Sequence, residues 1–427
     1  MRGDRRYFWR WLSGMLMLLL LTACSGSSSE GGEVPVPAPS PSDTTPDKPV
    51  LKIYIFPPNR PAITRAGDLG NVDASPEENK IHSLHVWVFD RDESNLPSSL
   101  SSSKLVGYIS LGNLTLSESG TGEVTMEITD AFANKIMTSD TRPKVDVYVA
   151  ANVTSSNCGI SFETLTKKGT TTEGQLEPLF IGSGYFGVTS PVSGIPVDGL
   201  PMSGVLKEQR IAGTSPVFRV GTEQKLANVQ LVRAVSKMRF VFCMSTTNND
   251  DVAVNSISLN GSVLPKEEYL FLTDDYNKVT PKYRLKDSEY EAQQTLITIP
   301  SGTTIKKNDD PYSYSYDGNS SGQDYEDLIN QGVADGKLSD LGTFYLRESD
   351  KALAGTINYS ITPYGTTTPN EKKSTAYAMK NENAGDFSRN HTWIVYGYFV
   401  TNGVLQLNVV ELKDWEINET DREIYNW

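Results

Sequence analysis

Val50-Leu51-Lys52-Ile53-Tyr54-Ile55-Phe56-Pro57-Pro58 and, after a polar stretch, Ile81-His82-Ser83-Leu84-His85-Val86-Trp87-Val88-Phe89-Asp90 decide how this chain is read. The first run is apolar and β-branched and closes on paired prolines, which predicts a strand with a hard stop. In the second, Leu84, Val86 and Val88 point one way and His85, Trp87 and Phe89 the other. Large side chains on both faces predict a central, covered strand. Between the two lies Ala62-Ile63-Thr64-Arg65-Ala66-Gly67-Asp68, with Arg60 just before it. We read residues 50–65 as a first strand plus a cleavage loop. The strand, with Leu51, Ile53 and Ile55 as its alternating apolar residues, is separable from the domain by a cut between Arg65 and Ala66.

Short alternating runs continue outward from this pair. Leu105 to Leu111, Val124 to Ile128, Val145 to Asn152 and Ser215 to Val220 read as strands, as do Ala227 to Leu231 and the second half of Val232 to Cys243. The first half of that last run reads as a helical turn, and Leu200 to Gly204 as the lead-in to a strand. Asp130 to Met137 predicts one short helix with Asp130 as its N-cap. A cluster of Ser, Thr, Asn and Asp at Met244 to Asp251 marks a domain boundary. Beyond it, Val252 to Leu259 runs into the hairpin pair Asn260-Gly261. Leu296 to Ile299, Thr343 to Glu348, Gly355 to Thr362, and a hairpin of Thr392 to Val400 with Val404 to Val410 follow. Asn308 to Asp327 has no period and reads as a polar loop. No long helix interleaves the strands, so the pattern predicts an all-β chain of two tandem antiparallel β-sandwich domains, 50–247 and 248–427.

A chain of 427 residues favours two domains. Its net charge of −13 is spread along the sequence, which argues against a nucleic-acid partner. Arg2, Arg5, Arg6 and Arg10 precede a short apolar run that ends at Leu21-Thr22-Ala23-Cys24. This reads as a lipoprotein signal rather than an ordinary secretory signal with an incidental cysteine: we expect residues 1–23 to be removed and Cys24 to be acylated, which would hold the mature chain to a membrane. Residues 24–49 are rich in Ser, Gly, Pro and Thr and form a flexible, semi-extended tether. Cys158 and Cys243 can pair in an exported protein or stand as buried, idle thiols.

Motifs for chemistry fail on context. Gly182-Ser183-Gly184-Tyr185-Phe186-Gly187 lacks the helix that a dinucleotide site needs. Gly318-Asn319-Ser320-Ser321-Gly322 lacks the buried strand of a nucleophile elbow. His82 and His85 face opposite sides of a strand, and His391 starts another, so no metal set forms. Asp309, Asp310, Asp317, Asp324 and Asp327 do not have calcium-loop spacing. We expect no enzyme activity, cofactor or metal.

Taken in order, several stretches resemble the fimbrillins of Bacteroidales, the subunits of type V pili. They are Ile63-Thr64-Arg65-Ala66-Gly67 ahead of Ile81 to Phe89; Val145 to Val153; Leu200 to Gly204; Arg233-Ala234-Val235-Ser236-Lys237; and Arg389-Asn390-His391-Thr392-Trp393 through Tyr398 to Asp414-Trp415. The resemblance implies transthyretin-like sandwiches and a lipoprotein precursor exported to the outer membrane and exposed at the surface. An arginine-specific protease then removes the lipidated leader and first strand. The opened groove accepts a strand from another pilus subunit, by which the protein joins the pilus and acts in adhesion to a host or bacterial surface ligand. Here the removed strand is Leu51 to Phe56 and the cut is Arg65-Ala66; Arg60 precedes Pro61, a poor bond for such proteases. The tail Glu416 to Trp427, with Ile417, Ile424, Tyr425 and Trp427, makes a thin donor strand. A tip or stalk component and an uncleaved outer-membrane anchor both stay open. So does a glycan-binding lipoprotein that stacks sugars on exposed Tyr312, Tyr314 and Tyr316.

Overall fold

The computed structural model describes residues 48–57, 77–91, 103–112, 114, 122–155, 158, 161–176, 179–181, 192–271, 290–292, 295–297, 299, 302–316, 322–349, 351, 353–368, 371–378, 389–400 and 405–413. The first half contains β1 (Val50–Phe56), β2 (Leu84–Arg91), β3 (Lys104–Leu111), β4 (Gly122–Glu127), α1 (Asp130–Thr138), β5 (Lys144–Ala151), and the short β6 (Phe180–Ile181) and β7 (Val192–Ser193). It continues with β8 (Met202–Thr214), β9 (Val217–Val220), β10 (Asn228–Gln230) and β11 (Val232–Arg233). A nine-stranded sheet runs β10-β1-β9-β8-β5-β2-β3, with β4 paired to β1 and β11 to β8.

β8 joins the two parts of this sheet. Its first residues pair with β5 and its last four with β9. Between them the register slips at Val145/Val147, and Glu208 takes a positive φ of 58°. An extra residue of this kind bends a strand and increases its twist. Leu51, Val124 and Phe218 from one part of the sheet then share a core with Val86, Val147 and Val149 from the other. Val86, Trp87, Val88 and Phe89 are all fully buried, so β2 is covered on both faces as its composition predicts.

The second half contains β12 (Ser236–Ser245), β13 (Asp251–Leu259), β14 (Glu268–Tyr269), β15 (Thr295–Ile297), β16 (Thr303–Thr304) and β17 (Lys307–Asn308). After these come the helix α2 (Gly322–Ala334), β18 (Ser339–Leu346), β19 (Ala354–Thr362), β20 (Glu371–Ala378), β21 (His391–Phe399) and β22 (Leu405–Lys413). One sheet runs β22-β21-β12-β18-β7 with β17 on β12; a second runs β15-β13-β19-β20 with β16 on β13. Met238, Phe240, Phe242 and Trp393 of the first face Val252, Val254, Ile257 and Ile357 of the second across one core. The alternate residues Val241, Cys243, Ile394 and Tyr396 point the other way, onto Tyr314, Tyr325 and Ile329. Most ladders are antiparallel, but β12 runs parallel to β21 and β17, and β1 parallel to β9 and β10.

Several local expectations are corrected. The N-cap of α1 is Thr129, not Asp130: its hydroxyl accepts the Phe132 N–H at 3.3 Å. Asp130 instead occupies the first turn, where its charge suits the helix N-terminus. Val232–Arg233 is strand rather than helical turn. Asn260-Gly261 does not close a tight hairpin, because the antiparallel partners of β13 are β15, β16 and β19. Residues 246–250 form the turn between β12 and β13. The polar stretch read as a loop through Asp327 carries a 3₁₀ turn at Pro311–Tyr314 and the first half of α2. Cys158 and Cys243 are both free and buried, in different clusters, and burial pushes their thiols up to about 12 and about 11.

Candidate functional site

β1 is flanked on both edges. Along one it pairs antiparallel with β4 from Val50↔Glu127 to Ile55↔Gly122. Along the other it pairs parallel with β9 at Val50 to Lys52, then with β10 at Tyr54 to Phe56. Bonds beyond the ladder fix its ends. Val50 N–H donates to Pro216 O and Ile128 N–H to Pro49 O, while Leu231 N–H donates to Phe56 O and the Gln230 amide to Pro57 O. The alternating apolar residues form rows across the sheet: Met126–Leu51–Phe218, Val124–Ile53 and Gly122–Ile55–Val229. At Gly122 in the last row a Cβ would sit 2.4 Å from Leu114 Cδ2, so any larger residue there obliges the Leu114 side chain to shift. Leu51, Ile53 and Ile55 are fully buried, and burying three such side chains is worth roughly 5–9 kcal/mol.

The outward face of β1 is polar and half-exposed. Lys52 Nζ donates to Glu123 Oε1 at 2.7 Å, and the Tyr54 hydroxyl bonds the same carboxylate. Tyr54 lies directly opposite Glu123, and Lys52 lies beside Arg219. The bond from Lys52 holds the Glu123 carboxyl below its ordinary range. Burial, with the bond to Glu123, raises the Tyr54 phenol.

The segment that follows residues 58–76 is gripped by side chains from distant parts of the chain. Asn152 accepts from His82 N–H at 2.7 Å and donates to Lys80 O and Leu200 O. Arg233 donates to Asn79 Oδ1 at 2.8 Å and to Asn390 Oδ1 at 3.2 Å. Glu78, itself buried, accepts from the Tyr345 hydroxyl at 2.7 Å and pairs with Lys237 at 3.2 Å. Asn152, Arg233, Lys237 and Asn390 come from three separate stretches on which the sequence resemblance rests. Their spacing in the sequence gave no hint that they meet. An Asn152→Ala chain is expected to lose about 2–3 kcal/mol in urea unfolding, because several buried partners lose their bonds at once. An unchanged midpoint would show that the grip contributes nothing.

A second buried network lies at the start of β21. Arg389 donates to Glu348 Oε1 from Nε at 2.9 Å and from Nη2 at 2.6 Å, and also to Leu270 O and Tyr269 O. Glu268 accepts the Glu348 N–H, and burial pushes its carboxyl well above the usual range.

Of the sequence-read site residues, Leu51, Ile53 and Ile55 are brought together in the core, whereas Cys24, Arg65 and Ala66 lie outside the described residues. Among the described residues no group of three or more His, Cys, Asp or Glu side chains is placed to hold a metal. His85 packs between Trp87, Tyr108 and Phe162, with Nδ1 3.0 Å from the Tyr108 hydroxyl. The tyrosine platform is corrected: Tyr312 is exposed, but Tyr314 is buried against Tyr396 and Tyr316 packs on Tyr325.

No family model matches the sequence, and no curated protein matches it. Among solved structures, the fold is similar to a putative cell adhesion protein from Parabacteroides distasonis, at 13% identity and a TM-score of 0.47 over 86% of this chain and 98% of that one. It is similar to the tip fimbrial protein Mfa3 of Porphyromonas gingivalis at 12% identity and a TM-score of 0.42, over 85% and 100%. The fimbrial anchor protein Mfa2 of the same organism follows at 11% and 0.37, over 86% and 98%.

Proposed function

We propose that this protein is a structural subunit of a cell-surface pilus, a tip or stalk component acting in adhesion. On this reading, acylation at Cys24 carries the precursor to the outer membrane. Cleavage between Arg65 and Ala66 then frees β1, and a strand from a neighbouring subunit takes its place. The observation that carries the reading is the setting of β1. An eight-residue stretch, Pro49 to Phe56, contributes a full row of core side chains and is bonded along both edges. Its departure leaves an apolar furrow with two unpaired edges, which is a template for strand addition.

The covalent link explains why exchange waits for the cut. While β1 is joined to the domain, its effective concentration at its own groove is on the order of millimolar, so an incoming strand competes poorly. Cutting the 58–76 segment turns that contest into one between two separate strands.

The test is to treat the folded precursor with an arginine-specific protease and follow the products by mass spectrometry. One fragment starting at Ala66 is expected, followed by uptake of a labelled peptide of residues 48–57. Resistance of Arg65 in the folded protein leaves the uncleaved anchor as the surviving reading. Cleavage without peptide uptake sinks strand exchange.

A further inference from the structure

The furrow under β1 recognises by more than shape. Resting on the exchange reading above, we infer that Glu123 is the residue that selects which strand can replace β1: the incoming segment must offer a hydrogen-bond donor, not a carboxylate, at the position of Tyr54. The apolar rows alone do not discriminate well, since any segment with three alternating aliphatic residues fills them, and a methylene more or less in a hydrophobic site changes affinity modestly. The outward row is different. Glu123 stands opposite Tyr54 and takes bonds from both the Tyr54 hydroxyl and Lys52 Nζ, the latter at 2.7 Å. When β1 leaves, one carboxylate loses both of these partners together.

The surrounding charges sharpen the choice. On the other flank, Asn228 faces Tyr54 directly and is uncharged, so the cations that reach that position, Lys52 and Arg219, act from one step along the strand rather than from opposite it. Arg219 faces Lys52, one step along the strand. A carboxylate at the Lys52 position therefore finds a cation, whereas at the Tyr54 position it meets Glu123 directly. Like charges opposite one another across a ladder repel, and the bonds from Tyr54 and Lys52 are not replaced by a carboxylate. Discrimination thus concentrates at one of the two outward positions. The partner is a segment of alternating pattern with Leu or Ile inward and Tyr, Lys, Arg or Thr at that outward site.

The experiment uses the full chain with a specific protease site introduced within 58–76, cut after folding. Two fluorescent peptides of residues 48–57 compete for the groove, one unchanged and one carrying Tyr54→Glu. We expect the altered peptide to bind about five- to tenfold more weakly at low salt, with the gap narrowing as salt is added. On a Glu123→Lys protein the order reverses, and on Glu123→Gln the two peptides bind nearly alike. Equal binding of both peptides to the parent protein overturns the selection by Glu123 while leaving strand exchange intact. Failure of the unchanged peptide to bind at all overturns the exchange reading, and this inference with it. Circular dichroism of the two Glu123 variants separates a folding fault from a change in preference.

Discussion

An Ile53→Asp chain is expected to expel β1 from its sheet. Ile53 is fully buried beside Val124 in the middle of the strand. Truncating such a residue to alanine costs about 2–5 kcal/mol, and placing a carboxylate in the same apolar row adds the penalty of an unpaired buried polar group. The sum is at least about 4 kcal/mol, in the range that marks a broken core. By contrast Lys52→Ala, one residue away on the half-exposed face, removes one surface ion pair and is expected to change stability by less than about 1 kcal/mol. The response to Ile53→Asp should be local before it is global. β4, β9 and β10 keep some other contacts when β1 withdraws, so hydrogen exchange should rise first at Gly122–Glu127 and Val217–Val220, with β12 and β21 still protected. Urea unfolding of the two variants, with exchange measured by mass spectrometry, decides it. An Ile53→Asp midpoint as high as that of Lys52→Ala would falsify the placement of β1 in the core.

That contrast was legible in the sequence, because period-2 alternation with β-branched residues reports both the strand and its two faces. Leu51-Lys52-Ile53-Tyr54-Ile55 carries the signal in five letters, and Leu84 to Phe89 carries it for a strand covered twice. The same rule fails where tertiary partners replace the pattern. β8 extends through Lys207-Glu208-Gln209-Arg210, a polar run with no apolar period, because β5, the bulge and β9 supply its ladder partners. α2 hides for a related reason. Its buried positions Tyr325 and Ile329 are spaced one turn apart, but Gly322 and Gly332 and a run of polar residues mask the spacing. Gly332 is needed there, since a Cβ would stand 2.5 Å from Tyr314. Parallel pairing of β1 with β9 and β10 was equally out of reach. Local sequence fixes which residues form a strand, not which distant strand lies beside it. The grip on Glu77 to Ser83 is the sharpest case, because Asn152, Arg233, Lys237 and Asn390 gain their meaning only where three remote stretches meet on that segment.

Arg389 is the member of those stretches whose loss is expected to cost most, and the loss should depend on pH. Its guanidinium is almost fully buried, bonded to Glu348 and to two backbone carbonyls. Glu348 is fully buried as well, and its N–H donates to Glu268, also buried. Arg389→Met therefore leaves two carboxylates in the interior without their central cation, which typically costs about 3–5 kcal/mol. Protonation is the escape. Glu268 already has its carboxyl raised by burial, and removing Arg389 removes the neighbour that most opposes that rise. A folded-state pKa above the unfolded value means the native state binds more protons between the two, so stability falls as pH rises through that window. Glu268 is held at about 8 in the parent, so the deficit of Arg389→Met should be small near pH 5 and grow as pH reaches 8 and above, where the parent's Glu268 loses its proton and the variant's does not. Adding Glu348→Gln to Arg389→Met should recover much of it at pH 8, because a neutral amide tolerates the site better than an orphaned charge. Chemical unfolding of the parent and both variants at the two pH values provides the reading. If Arg389→Met loses less than about 1 kcal/mol at pH 8, or the same amount at both pH values, the network is peripheral to stability and the Arg389 stretch must be explained by something other than a buried charge cluster.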